Sequence, residues 1–147
     1  MRGFTLLELL IVIGIVIILI GATIAAINPA RQMTAARDAT RWAHVGTYAN
    51  AVAQNTIDNA GTWSCSGFPA TTTWRRISAA DYDICSCLYP TYLGSVPREP
   101  SLGASYTSCV GGYDTGYDIS WNTTTPPYRV QIRCGVDPTC YSITVSR

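Results

Sequence analysis

Few residues in this chain are of types that do chemistry, and they are unevenly placed. One carboxylate, Glu8, stands inside an otherwise apolar N-terminal run. The single histidine, His44, has no second histidine to complete a dyad or a metal pair, so a packed or solvent-facing ring is expected there. Six cysteines, Cys65, Cys85, Cys87, Cys109, Cys134 and Cys140, all lie in the later part of the chain. Trp74-Arg75-Arg76 sets an aromatic ring beside two cations, a pattern that serves either nucleic-acid stacking or plain surface. No GxSxG, P-loop, HExxH or GxGxxG is spelled, so neither enzymatic activity nor a cofactor is expected.

The cysteines decide the compartment. Cys85-Ser86-Cys87 is too close for the usual zinc spacing, and no paired histidines accompany it, so a disulfide framework is expected. We expect Cys134 to join Cys140 across a hairpin, Cys65 to join either Cys85 or Cys87, and Cys109 to take the other. Such staples are worth about 2–4 kcal/mol each in a small domain and persist in an oxidising environment. The 147 residues are 48% hydrophobic and 13% charged with net charge +1, which excludes an intrinsically disordered chain and a broad basic field for nucleic acid.

The element that carries Glu8 is the most legible in the chain. Leu9 to Ile20 contains no polar side chain, and Phe4 to Ile27 is 24 residues, about 36 Å of helix against a hydrocarbon core of about 30 Å. A buried core helix this apolar needs a larger protein around it. A secretory signal has a shorter apolar block, although GATIAAINPA offers small residues for cleavage. An acid in such a helix either snorkels to the headgroups, is protonated, or meets a buried positive charge from another chain.

Gly3-Phe4-Thr5-Leu6-Leu7-Glu8, running directly into LLIVIGIVIILI, resembles the processing and assembly segment of type IV prepilins and of type II secretion pseudopilins. The resemblance implies a leader over residues 1–3, cleavage between Gly3 and Phe4 by a prepilin peptidase, and N-methylation of Phe4. It implies that residues 4–29 form a transmembrane helix before assembly and a filament-core helix afterwards, with Glu8 accepting the Phe4 amine of an adjacent subunit. Residues 30–60 would be the amphipathic half of one long helix, and 61–147 a disulfide-bonded head. The fold class implied is α+β, a long N-terminal helix packed on a small antiparallel sheet. The partners implied are further copies in a helical filament, the peptidase and pilus assembly machinery, and the membrane before assembly. DNA or a surface ligand would be met only through the filament. The precursor belongs in the inner membrane and the product in an extracellular pilus. A minor pilin or a pseudopilin is the alternative within the family, and a bitopic membrane-anchored binding module the alternative outside it. The leader departs from the pattern in being short, with Arg2 its one charged side chain. Arg31, Arg37 and Arg41 on the distal side run against the positive-inside rule, but long domains translocate largely regardless of charge. LYPTYLGSVPREP is similar to a pseudopilin connection whose following loop sometimes binds calcium; Asp114 and Asp118 would be the ligands here, or would make turns.

Farther along, Asn28-Pro29 predicts a kink or locally melted segment. Trp42, Val45, Tyr48, Ala49 and Val52 predict an amphipathic helix from Ala30 to about Ile57, ended by Asp58-Asn59-Ala60-Gly61. A short helix is expected over Ile77–Tyr82, and strands over Tyr117–Trp121, Tyr128–Cys134 and Cys140–Val145, the last two as a hairpin. Asn122-Thr123-Thr124 spells a glycosylation sequon.

Overall fold

The computed structural model describes residues 3–65, 73–109, 111–122, 129–136 and 138–146. The fold is α+β, in two compact units, residues 1–36 and 37–147. The Thr123-Thr124 part of the sequon, Tyr128 and residues 1–2 of the expected leader lie outside the described residues.

Helix α1 runs Leu6–Ala26 and α2 runs Pro29–Asp58. The expected single long helix is therefore two. Pro29 has no amide to donate, and Asn28 turns the break into a proper start: its Oδ1 accepts the Arg31 N–H at 3.2 Å, as an N-cap does. At its far end α2 stops on a Schellman motif, with Gly61 N–H to Thr56 O at 2.8 Å and Ala60 N–H to Ile57 O at 3.2 Å. The left-handed position falls on Ala60, at φ 53°.

The second unit holds a four-stranded antiparallel sheet in the order β1-β2-β3-β4: Arg75–Ser78, Asp114–Asn122, Arg129–Cys134 and Thr144–Ser146. Strand β1 overlaps the segment expected to be helical, Ile77–Tyr82, at Ile77 and Ser78. Ile77 is fully buried, Arg76 pairs with Asp118 across the ladder, and Ser78 Oγ accepts the Asp81 N–H at 3.1 Å, closing a turn where a helix would have continued. The short helix, α3, comes later, at Cys85–Leu88. Strand β4 begins at Thr144 rather than Cys140, because Cys140 belongs to a 3-10 turn, Pro138–Cys140, bonded back to Cys134.

Register aligns Ile119 with Ile132 and Tyr117 with Cys134, giving the sheet an apolar face. That face, with Ile77, packs with Val45, Tyr48 and Val52 of α2 and with Leu88, Leu93 and Val96 in one core. Helix α2 buries Val45, Tyr48, Ala49 and Val52 as its apolar pattern predicts, but Trp42, expected with them, is 48% exposed, and Arg41 is buried on that face instead. A charged residue holds the core position because an acid is waiting there.

Candidate functional site: the N-terminal segment and the charges of the head

The expected cleavage point is structurally accessible. Gly3, Phe4 and Thr5 precede the helix, so the Gly3–Phe4 bond is outside any helical hydrogen-bonding, and Phe4 is 83% exposed. Thr5, with φ −81° and ψ 151°, caps α1: its Oγ1 accepts the Glu8 N–H at 3.2 Å, and its carbonyl accepts the Leu9 N–H at 3.2 Å. Thr5-Leu6-Leu7-Glu8 is the spacing of a capping box, a signal present in the sequence that hydropathy reading passes over. Glu8 is exposed in the first turn, where the positive end of the helix dipole favours a carboxylate. Among the described residues it makes no ion pair.

Behind Glu8, Leu6–Ile24 is long and apolar enough to cross a membrane, and none of that span is buried within the chain. Gly14 and Gly21, seven residues apart, have nothing within 4 Å of where a side chain would start. The helix thus presents an acid at one end, apolar surface all round and two notches for a close neighbour.

The cysteines are all paired: Cys65–Cys87, Cys85–Cys109 and Cys134–Cys140. Of the two arrangements left open for Cys85 and Cys87, this gives Cys87 to Cys65.

Several charges of the head are committed to one another. Asp118, expected with Asp114 as a minor calcium site, receives Arg76 Nε at 2.9 Å and Arg133 Nη2 at 3.3 Å, and Asp114 lies 3.6 Å from Arg76 Nη1. Both Asp118 oxygens already accept guanidinium N–H groups and Asp114 Oδ1 accepts the Gly116 N–H at 3.0 Å, so a cation would have to displace them, and no group of three or more metal-ligating acids, histidines or cysteines occurs among the described residues. The Arg133 guanidinium is stacked 4.1 Å from the Trp74 ring and 4.2 Å from Tyr141. Arg75 Nε meets Asp81 at 2.5 Å. In Trp74-Arg75-Arg76 both cations are therefore paired with acids and the Trp74 ring is covered by Arg133, a poor footprint for nucleic acid.

Sequence reasoning missed the most buried charge pair. Glu99, 0% exposed, receives Arg41 Nη2 at 2.5 Å and Nε at 2.7 Å, and Arg41 Nη1 reaches Asp38 at 2.7 Å. Burial pushes the Glu99 carboxyl up, but hydrogen bonds from Ser101 and Arg41 outweigh it and hold it below the usual glutamate range. Burial likewise lowers the Arg41 guanidinium, and its bonds to Glu99 and Asp38 carry it above its ordinary value. His44 sits beside this pair, its Nδ1 2.9 Å from the Tyr117 hydroxyl. Desolvation lowers its pKa, outweighing its hydrogen bond with the Arg98 backbone and the charge of Glu99. Burial raises the Tyr117 hydroxyl well above the usual tyrosine range. His44 is thus a neutral packed ring, with no geometry for acid–base work on a substrate.

Comparison with protein-family models, with curated proteins and with solved structures finds no match to this chain.

Proposed function

We propose that this chain is the structural subunit of a type IV pilus or a closely related filament. The observation that carries the reading is the pairing of an apolar helix exposed on every side with a capped start that places Glu8 at its charged end. The Gly3–Phe4 bond lies outside that helix, so a membrane peptidase reaches it without unwinding a turn. Cleavage there leaves Phe4 with a free amine, to be N-methylated, four residues ahead of Glu8. In the bilayer α1 anchors the precursor; in the fibre the same surface packs against copies of itself, and each Glu8 meets the Phe4 amine of a neighbour. The oxidised head faces outward, with its ion pairs internally satisfied and its function exercised through the fibre.

Mass spectrometry of the native protein tests the reading. A first residue of N-methylated Phe4, in a subunit recovered from sheared surface fibres seen by electron microscopy, is the expected result. An intact Met1 in dispersed membrane protein would support an anchored binding module instead, and a start near Ala26 would make α1 a discarded signal. Gly3→Leu should block leader removal; normal processing of that variant would put the cleavage site elsewhere.

A further inference from the structure

The stretch of α2 that belongs to the head is fastened at both ends, by different chemistry. Arg41 is the most N-terminal buried residue of α2, and Asn55 the most C-terminal. At the Asn55 end the fastening is a set of hydrogen bonds to a segment braced by a disulfide. The Asn55 side chain donates to Ser64 Oγ at 2.7 Å and to Cys87 O at 3.3 Å and accepts the Ser64 N–H at 3.2 Å, and the next residue, Cys65, is bonded to Cys87. At the Arg41 end the fastening is ionic, to Glu99.

Glu99 sits in a short strap, Pro97–Leu102, that is held from every side. Its N–H donates to Thr115 O of β2 at 2.8 Å, its Oε2 accepts the Ser101 N–H at 2.8 Å, and Ser101 Oγ donates to the same oxygen. Tyr48, one face of α2 along from Arg41, donates its hydroxyl to Pro97 O at 2.6 Å. Beneath the strap is Gly116, at φ 79°, where a side chain would start 2.7 Å from Glu99 Cβ. The strap lies inside the loop closed by Cys85–Cys109, so it cannot drift from the head. The Asn55 end is held by several hydrogen bonds to a segment that the Cys65–Cys87 disulfide braces, whereas the Arg41 end depends on one ion pair to the strap.

We propose that the Arg41–Glu99 pair is a latch: it fixes the point at which α2 becomes part of the head and is the place from which the helix peels when it is loaded or disturbed. Peeling runs from Arg41 toward Asn55, where the hydrogen bonds to Ser64 and Cys87, in a segment braced by the Cys65–Cys87 disulfide, stop it. Removal of Arg41 leaves the Glu99 carboxylate buried without a cation, and removal of Glu99 leaves the buried guanidinium only Asp38 at the helix surface, so the latch opens sharply rather than softening. The proposal concerns the head alone and stands whether or not the chain polymerises.

Hydrogen exchange on the full-length protein in detergent micelles tests it. Glu99→Gln is expected to speed exchange of the α2 amides over residues 41–49 on the order of 100-fold, with amides of β2 and β3 and those at the Asn55 end keeping their protection. Arg41→Lys keeps the charge but cannot reach Glu99 and Asp38 together, and is expected to give an intermediate increase in the same amides. Unchanged exchange over 41–49 in both variants would overturn the latch. So would an equal rise across α2 and the sheet, which would make the pair a general core contact.

Discussion

Glu8 has two jobs open to it, and one substitution separates them. As the fourth residue of Thr5-Leu6-Leu7-Glu8 it belongs to a capping box whose first half is seen in the 3.2 Å bond from Glu8 N–H to Thr5 Oγ1. Gln fills that position as well as Glu does. Glu8→Gln therefore keeps the cap, worth about 0.5–2 kcal/mol, and deletes only the charge. In the bilayer the change should help, since an ionised acid costs up to about 2.5–3.5 kcal/mol at a helix centre and less near an end. In the fibre it should harm, because the neighbour's amine is left buried without its partner, a loss of about 3–5 kcal/mol per subunit. That is on the order of 10²-fold to 10³-fold in the assembly constant. The assay compares membrane-inserted precursor, processed subunit and sheared fibre in one preparation. We expect insertion at or above wild type, processing retained, and fibres lost. Wild-type fibre yield from Glu8→Gln would refute charge pairing and leave Glu8 as a capping residue. Thr5→Ala is the mirror control, expected to cost cap strength while leaving the charge.

Other expectations concern the head. Gly116→Ala should destabilise it by about 2–5 kcal/mol, combining a left-handed φ with overpacking against Glu99, Leu102 and Val136, whereas Gly46→Ala, with open space around it, should stabilise α2 by about 1 kcal/mol; thermal melts read both. Ala60→Gly should raise stability by about 1 kcal/mol by relieving the φ of 53° at the helix end, and no gain would mean that the strain is absent in solution. His44 is held neutral in the fold, so its contribution is full above the unfolded histidine pKa of about 6.5 and declines as pH falls below that toward the lowered folded value; denaturant melts should show a loss on acidification that His44→Gln removes. Glu99, depressed in the fold, contributes fully above the usual glutamate pKa and loses that contribution as pH drops through its lowered value, so a second decline should appear in stronger acid and vanish in Glu99→Gln. Asp38, Arg41, His44 and Ser101 face that carboxylate or lie beside it, and only Glu99→Gln tests its own share.

The sequence was most informative where one physical effect dominates. Leu9 to Ile20 admits one reading at any register, and YRVQIRC alternates so cleanly that β3 follows from period alone. Strand β1 was illegible because two of its four residues are Arg; it exists because Arg76 finds Asp118 across the sheet, a pairing separated by 42 positions. The same cause misled the reading of α2. Hydrophobicity put Val45, Tyr48 and Val52 inward correctly and Trp42 with them wrongly: Glu99, 58 positions away, draws Arg41 to the core and leaves Trp42 exposed. Hydropathy scores residues singly, and a buried ion pair is a property of two. The Cys85/Cys87 choice was open for a similar reason: the two point to opposite sides of a short helix, and which side meets Cys65 depends on where the loops around them are placed. The helix break was legible as a kink from Pro29, and its sharpness came from Asn28 acting as a cap.

The exposure of α1 constrains what the protein does more than any single residue. Fourteen large aliphatic side chains of α1 are each at least 45% exposed; at about 1.5 kcal/mol apiece their exposure to water costs on the order of 20 kcal/mol. A whole domain is stable by about 5–15 kcal/mol. Such a helix is either removed or covered for as long as the protein exists. Under the proposed function lipid would cover it before assembly and other copies of it afterwards, and the exchange of one cover for the other would be nearly neutral for the apolar atoms, since neither involves water. The choice between membrane and fibre then falls to the few groups for which the two covers differ: the Glu8 carboxylate, and Gly14 and Gly21, whose open notches admit a neighbouring backbone more closely than they admit lipid tails. A change of one charge at Glu8 should therefore move the equilibrium further than a change of several methylenes anywhere along Leu9 to Ile20.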